Sequence, residues 1–250
     1  MKLPELHADF LTKPLAHRGL HGGEIPENSR AAMKAAIDAG YGIELDLQLS
    51  ADNEAMVFHD YDMKRLTGTA GPIRMQTVSA LNALNLSNGE PIPTLIEILE
   101  LVDGRAPLLI EIKDQDGALG PNVGILESRT AELLAKYNGP VAVMSFNPHS
   151  VFAMQKHAPS VSRGLVTAQF NASDWPLVPD NRRTELSAIP DFEQCGASFI
   201  SHYFKHLEMP RVAELKQKAV PVLCWTIKSQ QDETIARQVA NNITFERYLP

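Results

Sequence analysis

Cysteine is scarce. Only Cys195 and Cys224 occur in 250 residues, and neither sits in the paired spacing of a structural metal site. A disulfide scaffold is excluded, and a reducing cytoplasm is the expected home. Runs of Lys and Arg are also missing, and the formal charge is −7. That balance argues against nucleic acid or an anionic membrane as partner and leaves a small-molecule substrate. No apolar run reaches membrane-spanning length and residues 1–15 hold no signal-peptide core, so no membrane insertion is expected. The chain shows no internal repeat, no low-complexity tract and no Gly-rich nucleotide loop after its first predicted strand. Oligomeric state leaves no readable mark.

What is present is alternation. Apolar residues make up 44% of the chain, enough for a full core. Strand-like runs fall at residues 14–18, 42–49, 107–113, 140–146, 163–167, 197–203, 221–227 and 242–245. Helical spacing lies between most of them, at 28–39, 94–102, 124–137, 148–157, 209–218 and 230–239. Asn28 or Ser29 can cap the first helix, and Gly40 closes it. One extra strand, 55–59, follows the second after only five residues. That is too short for a parallel crossover, so the two form a hairpin. Eight β-then-α units remain, which predicts an α/β fold of the (β/α)8 TIM-barrel type. Residues 1–250 read as one domain. Residues 60–93, rich in Thr, Gly, Asn and Ser, read as a small insertion after the second strand and its hairpin. Residues 168–190 hold Trp175 and three prolines and read as a rim loop with a short or distorted helix.

Strand side chains alternate faces. In residues 42–49, Ile43, Leu45, Leu47 and Leu49 take one face, while Glu44 and Asp46 take the other. Helices cover the apolar face of a barrel strand, so both carboxylates point inward. The same parity turns Glu111 and Lys113 inward on their strand. Alone, Glu-x-Asp reads as the solvated face of an edge strand. Three carboxylates converging at a poorly hydrated barrel mouth instead call for a cation. All-oxygen ligation by Glu44, Asp46 and Glu111 favours one hard divalent ion, Mg2+ or Ca2+.

His17 ends the first predicted strand and His59 ends the hairpin. A lone histidine is more often structural. Two of them near three carboxylates form a candidate acid–base pair, because imidazole exchanges protons near neutral pH. Hydrolysis of a phosphodiester needs that exchange, and it needs positive charge on the non-bridging oxygens. Arg18 and Lys113 stand where they can add to that charge.

The ordered set His17-Arg18-Gly19, Pro26-Glu27-Asn28-Ser29, Glu44-x-Asp46, His59-Asp60, Ile92-Pro93-Thr94-Leu95, Glu111-Ile112-Lys113, Ser145-Phe146 and Trp225-Thr226 resembles the glycerophosphodiester phosphodiesterase family. The resemblance spans nearly the whole chain and is most specific in the N-terminal half. It implies a TIM barrel with an insertion and a divalent metal at Glu44, Asp46 and Glu111. It implies His17 and His59 as the acid–base pair, Arg18 and Lys113 on the phosphate, and Trp225 near the apolar part of the substrate. The implied activity converts a glycerophosphodiester to sn-glycerol 3-phosphate and an alcohol. Direct water attack and a cyclic phosphate route both remain open.

Two departures stand out. The family pattern ends its last strand with Asp, where this chain carries Glu246. The sixth barrel strand and the turn after it carry His202, Tyr203 and His206, either lining the alcohol subsite or standing as ordinary rim residues. His149, near a helix start, gets the same weak functional reading. Two other functions compete with the leading one. One is a lysophospholipase-D-like hydrolase, or a lyase forming a cyclic phosphate, acting on lysolipids. The other is a non-catalytic phosphate-ligand binder, which decay should have stripped of a ligand or histidine, yet none is missing.

Overall fold

The computed structural model describes residues 3–250. Nine strands form one sheet: β1 Leu15–Ala16, β2 Gly42–Leu49, β3 Ala55–Val57, β4 Leu108–Ile112, β5 Val141–Ser145, β6 Ser162–Thr167, β7 Phe199–Tyr203, β8 Val222–Ile227 and β9 Asn242–Phe245. Eight pair in parallel in the order β1-β9-β8-β7-β6-β5-β4-β2, and β1 pairs with β2 to close the ring. This is the expected TIM barrel. β3 lies antiparallel on β2, with Leu47 opposite Val57, so the hairpin is present as read.

Parity explains the two layers of core. Ile43, Leu45, Leu47, Leu108, Ile110, Ile112 and Val143 leave the barrel and pack under helices Arg30–Asp38, Leu95–Val102, Ile125–Leu134 and Pro148–His157. Leu15, Leu109, Ala142, Met144, Val166, Phe199 and Leu223 point the other way and fill its interior. Phe10 completes that inner layer from helix Asp9–Thr12. This helix crosses the N-terminal end of the barrel, where Asn242 Nδ2 donates to the Phe10 and Lys13 carbonyls at 2.8 and 2.6 Å. Nothing in the sequence marks it, because four residues are too few to show a period.

Helix boundaries follow their caps. Ser29, not Asn28, caps Arg30–Asp38 by accepting from Ala32 N, and Thr94 with Glu97 forms a capping box on Leu95–Val102. Helices Ile125–Leu134 and Gln230–Ala236 stop about a turn short of the ends expected from spacing alone. In residues 168–190 the helix is Asp180–Ser187, and Phe170, Val178 and Leu186 anchor the segment against Leu119, Phe146 and Trp175. Residues 60–93 carry helices Lys64–Thr67 and Val78–Leu81. Met63, Ile73, Leu81, Leu86 and Ile92 pack with Met56 and Phe58 into a separate small cluster.

The floor of the barrel is filled to the limit. Gly164 sits opposite Phe199 on neighbouring strands, and a Cβ there would lie 2.5 Å from the Phe199 ring. Gly164→Ala is therefore expected to lower stability by about 1–3 kcal/mol through overpacking, read by urea unfolding. An unchanged midpoint would show that the ring has room to turn.

Candidate functional site

The other end of the barrel is polar. His17 follows β1, Glu44 and Asp46 stand on β2, and His59 lies two residues past β3. Glu111 is on β4 with Lys113 just beyond it, and Trp225 is on β8. Asp46 and Glu111 are direct register partners across β2 and β4. A pocket of about 100 Å³ at this end is lined by His17, Arg18, Glu44, His59, Glu111, Lys113 and Trp225. Asp46 lies behind that wall, where Lys113 Nζ reaches its Oδ1 at 2.8 Å. All eight residues singled out from sequence thus converge on one mouth.

The carboxylates suit a hard cation. Glu44, Asp46 and Glu111 are buried, and each offers an oxygen within 4.8 Å of the others. Lys113 Nζ bridges Asp46 and Glu111, at 2.8 and 2.6 Å. Asp46 also accepts from Asn28 Nδ2 at 2.9 Å and has Arg18 Nε 3.3 Å away. Burial opposes its ionisation, but Lys113, His59 and Arg18 hold it well below the usual carboxylate range. The same two carboxylates keep Lys113 charged against its burial. Glu44 differs. Its oxygen takes the Arg18 backbone N–H at 3.0 Å and lies 4.0 Å from His17 Nε2, and among the described residues no Lys or Arg side chain pairs with it. Burial and repulsion from Asp46 and Glu111 push its carboxyl well above the ordinary value. A group so raised marks negative charge that the side chains leave uncompensated. One divalent ion would balance it, so the donor set fits the expected metal.

Both histidines are oriented by carboxylates. His17 Nδ1 lies 2.7 Å from Glu246 Oε2, so it carries the proton and Nε2 is the free nitrogen toward the pocket. Burial lowers the His17 imidazole to about 4, against the opposing pull of Glu246. Glu246 itself stays ionised, held low by the hydrogen bond from His17, by His21 Nε2 3.7 Å away and by Lys228 Nζ at 2.8 Å. The replacement of the family Asp by Glu thus keeps a carboxylate on His17. His17, His21 and Glu246 form a second group of possible metal donors among the described residues. Lys228, with Arg247 Nε 3.4 Å from Glu246, already neutralises it. His59 Nδ1 lies 2.7 Å from Asp60 Oδ1.

Several residues at the site escaped the sequence reading. Glu27 and Asp60 appeared there only as motif letters. In the structure Glu27 binds Arg18 NH1 at 2.7 Å, and Asp60 holds His59. Arg65 bore no signal at all, yet it contacts both carboxylates. Asn28 is freed from helix capping by Ser29 and adopts a left-handed φ of 55°, which turns its amide onto Asp46. Above the small pocket opens a cleft of about 1020 Å³, lined in part by Tyr61, Leu119, Phe146 and Trp175. The Phe146 ring lies 4.7 Å from Trp175 and 5.4 Å from Trp225, so an aromatic wall runs from rim to floor. Tyr203 extends it, 5.1 Å from Trp225.

A barrel with these groups at the C-terminal ends of its strands has the layout of a TIM-barrel hydrolase. Residues 17–244 match the model of the glycerophosphoryl diester phosphodiesterase family, and the chain belongs to that family. It is 30% identical over 233 residues to a glycerophosphodiester phosphodiesterase of Caldanaerobacter subterraneus, covering 88% of each. It is 31% identical over 143 residues to a human lysophospholipase D, a match covering 52% of this chain and 43% of the relative. A phosphodiesterase of Oleispira antarctica, solved with sn-glycerol 3-phosphate, superposes with a TM-score of 0.76 at 24% identity, covering 95% of this chain and 93% of that one. These solved folds are the same barrel. Among the described residues no helix is long and apolar enough to cross a membrane.

His202 lies elsewhere. It is fully buried on the outer face of β7, where Thr167 Oγ1 lies 2.7 Å from Nδ1 and Nε2–H donates to the His206 carbonyl at 3.0 Å. It does not line the cleft. Burial lowers its imidazole from 6.5 to about 4. Unfolding therefore takes up a proton between those values. The stability His202 provides is full above about pH 6.5 and falls as pH drops toward 4, by about 3 kcal/mol. His202→Gln should flatten this acid limb in unfolding experiments from pH 7 to 4. An unaltered slope would remove His202 as its source.

Proposed function

We propose that this protein hydrolyses glycerophosphodiesters to sn-glycerol 3-phosphate and an alcohol, with one divalent ion, Mg2+ or Ca2+, held by Glu44, Asp46 and Glu111. The observation that carries this is the meeting of three buried carboxylates and two carboxylate-backed histidines at one mouth, in a chain of this family. When bound, the ion supplies positive charge to the non-bridging phosphate oxygens. Arg18 and Lys113 add to that charge, and both stay protonated. His17, neutral at pH 7 with Nε2 free, takes the proton of the attacking oxygen. Its Nδ1–H stays with Glu246, so the imidazolium formed is stabilised in place. His59, backed by Asp60, gives a proton to the leaving alcohol. Trp225, on the pocket floor, packs the carbon side of the substrate.

The assay is choline release from glycerophosphocholine. Chelation should abolish turnover and Mg2+ or Ca2+ should restore it. His17→Ala and His59→Ala should each lower kcat by about 10²–10⁴-fold. Turnover insensitive to EDTA would remove the metal from this reading.

A lysolipid, cleaved in the manner of a lysophospholipase D, needs room for an acyl chain on its glycerol, whereas the spare room here favours a larger alcohol group. The outer cleft is about ten times the volume of the inner pocket and shares His59, Glu111, Lys113 and Phe146 with it. Glycerol phosphate suits the inner space, and the alcohol side lies open against Leu119, Phe146 and Trp175. Trp175→Ala should raise KM for glycerophosphocholine by about 2- to 30-fold, the worth of one aromatic face to an onium group, with kcat near wild type. An equal fall in kcat and kcat/KM would place Trp175 at the reacting phosphate instead. Comparing turnover of lysophosphatidylcholine in the same variants separates the two substrates.

A further inference from the structure

Residues 60–93 could be mere decoration on the barrel, but Arg65 from them reaches the mouth. We propose that Arg65 is a positioning residue that locks the phosphate-binding Arg18 and the proton-transferring His59 into one rigid frame. The proposal rests on the roles given to Arg18 and His59 above.

The contacts are all side chain to side chain. Arg65 Nε and NH2 donate to Asp60 Oδ2 and Oδ1 at 2.6 and 2.9 Å. Its NH1 and NH2 donate to Glu27 Oε2 and Oε1 at 2.8 and 2.6 Å. One guanidinium is thus bidentate to two carboxylates. Each carboxylate carries the constraint inward. Glu27 Oε1 also takes Arg18 NH1 at 2.7 Å, and Asp60 Oδ1 also takes His59 Nδ1 at 2.7 Å. The frame runs Arg18–Glu27–Arg65–Asp60–His59. It joins a residue just after β1 to one just after β3, two segments with no strand pairing between them.

The insertion is built to hold this side chain. Met63 is buried in its small cluster and Leu66 packs on the same cluster. Met63 N–H is fixed to the Gly71 carbonyl, and the helix Lys64–Thr67 ends on Gly68 at a φ of 75°. Arg65 stands between two anchored neighbours while its own side chain stays about half exposed, 47%. Only a planar fork matches two carboxylates at once. A lysine ammonium is a point donor and cannot make four such bonds. Groups that orient a functional histidine typically change activity by about 10–100-fold when removed.

The test uses Arg65→Ala and Arg65→Lys, assayed with glycerophosphocholine and the divalent ion. Expected are a fall in kcat of about 100-fold in R65A and less than tenfold recovery in R65K. Added methylguanidinium should restore R65A at least tenfold, which a merely structural loss would not show. Retention of kcat within threefold in either variant, or an R65A loss that methylguanidinium does not mend, overturns the clamp. If R65A does not fold, R65K alone decides by the same threshold. If the wild-type chain turns over no glycerophosphodiester, the proposed reaction fails and the clamp is read by NMR instead. R65K should then shift the His59 ring nitrogens and leave those of His202 in place, and an unmoved His59 refutes it.

Discussion

Closing the barrel forces three carboxylates into a space that water reaches poorly, and much of the mouth answers that one constraint. Asp46 and Glu111 face each other across two hydrogen-bonded strands, and Glu44 stands two residues below Asp46 on the same face. Three such anions cannot remain ionised without partners, because each has lost most of its hydration. Lys113 takes two of them, Arg18 and Asn28 support Asp46, and Glu44 is left with one backbone N–H and a neutral imidazole nearby. The imbalance is local to Glu44, which is why a single ion would complete the arrangement. The same surplus of negative charge fixes Arg18 and Lys113 as permanent cations.

Much of this was legible because a strand has a period of two. Once residues 42–49 are a barrel strand, the inward direction of Glu44 and Asp46 follows from their apolar neighbours, and Glu111 follows from the next unit. Parity also sends His202 outward, between Ser201 and Tyr203, although a histidine near the rim invites a functional reading. Contacts made through loops were not legible. Glu27 and Asp60 belong to recognisable motifs, but their partner Arg65 lies in an insertion whose own small core decides where it points. Asn28 and Ser29 were equivalent as caps until the backbone chose. The left-handed turn at Asn28 hands the cap to Ser29 and the amide to Asp46. Helix Asp9–Thr12 is invisible for a different reason: it has one buried residue, Phe10, and no pattern.

Two scales of space sit over the carboxylates. The inner pocket, of about 100 Å³, sets His17, Arg18, Glu44, Glu111 and Lys113 against the apolar Met144, Phe146, Val166 and Trp225. The outer cleft is walled on one side by rings and is open. The inner part is lined in part by residues on or just past β1, β2, β4 and β8, with His59 just past β3. The outer cleft is lined mostly from residues 59–65 and 111–119, with Phe146 and Trp175 beside them, and Trp175 is held by Phe146 and Phe170.

The two ends of the barrel are complementary in energy as well as in chemistry. At the N-terminal end Phe10, Leu15, Leu109 and Phe199 fill the interior so fully that Gly42 and Gly164 have no room for a side chain. This end contributes apolar burial and dry packing. The mouth does the reverse, concentrating desolvated charge that raises the free energy of the fold. Charge of that kind persists only on strands that cannot relax to relieve it. The rigid apolar floor, by fixing β2 against β4, is what keeps Glu44 beside Asp46 and Glu111 rather than turned out to solvent.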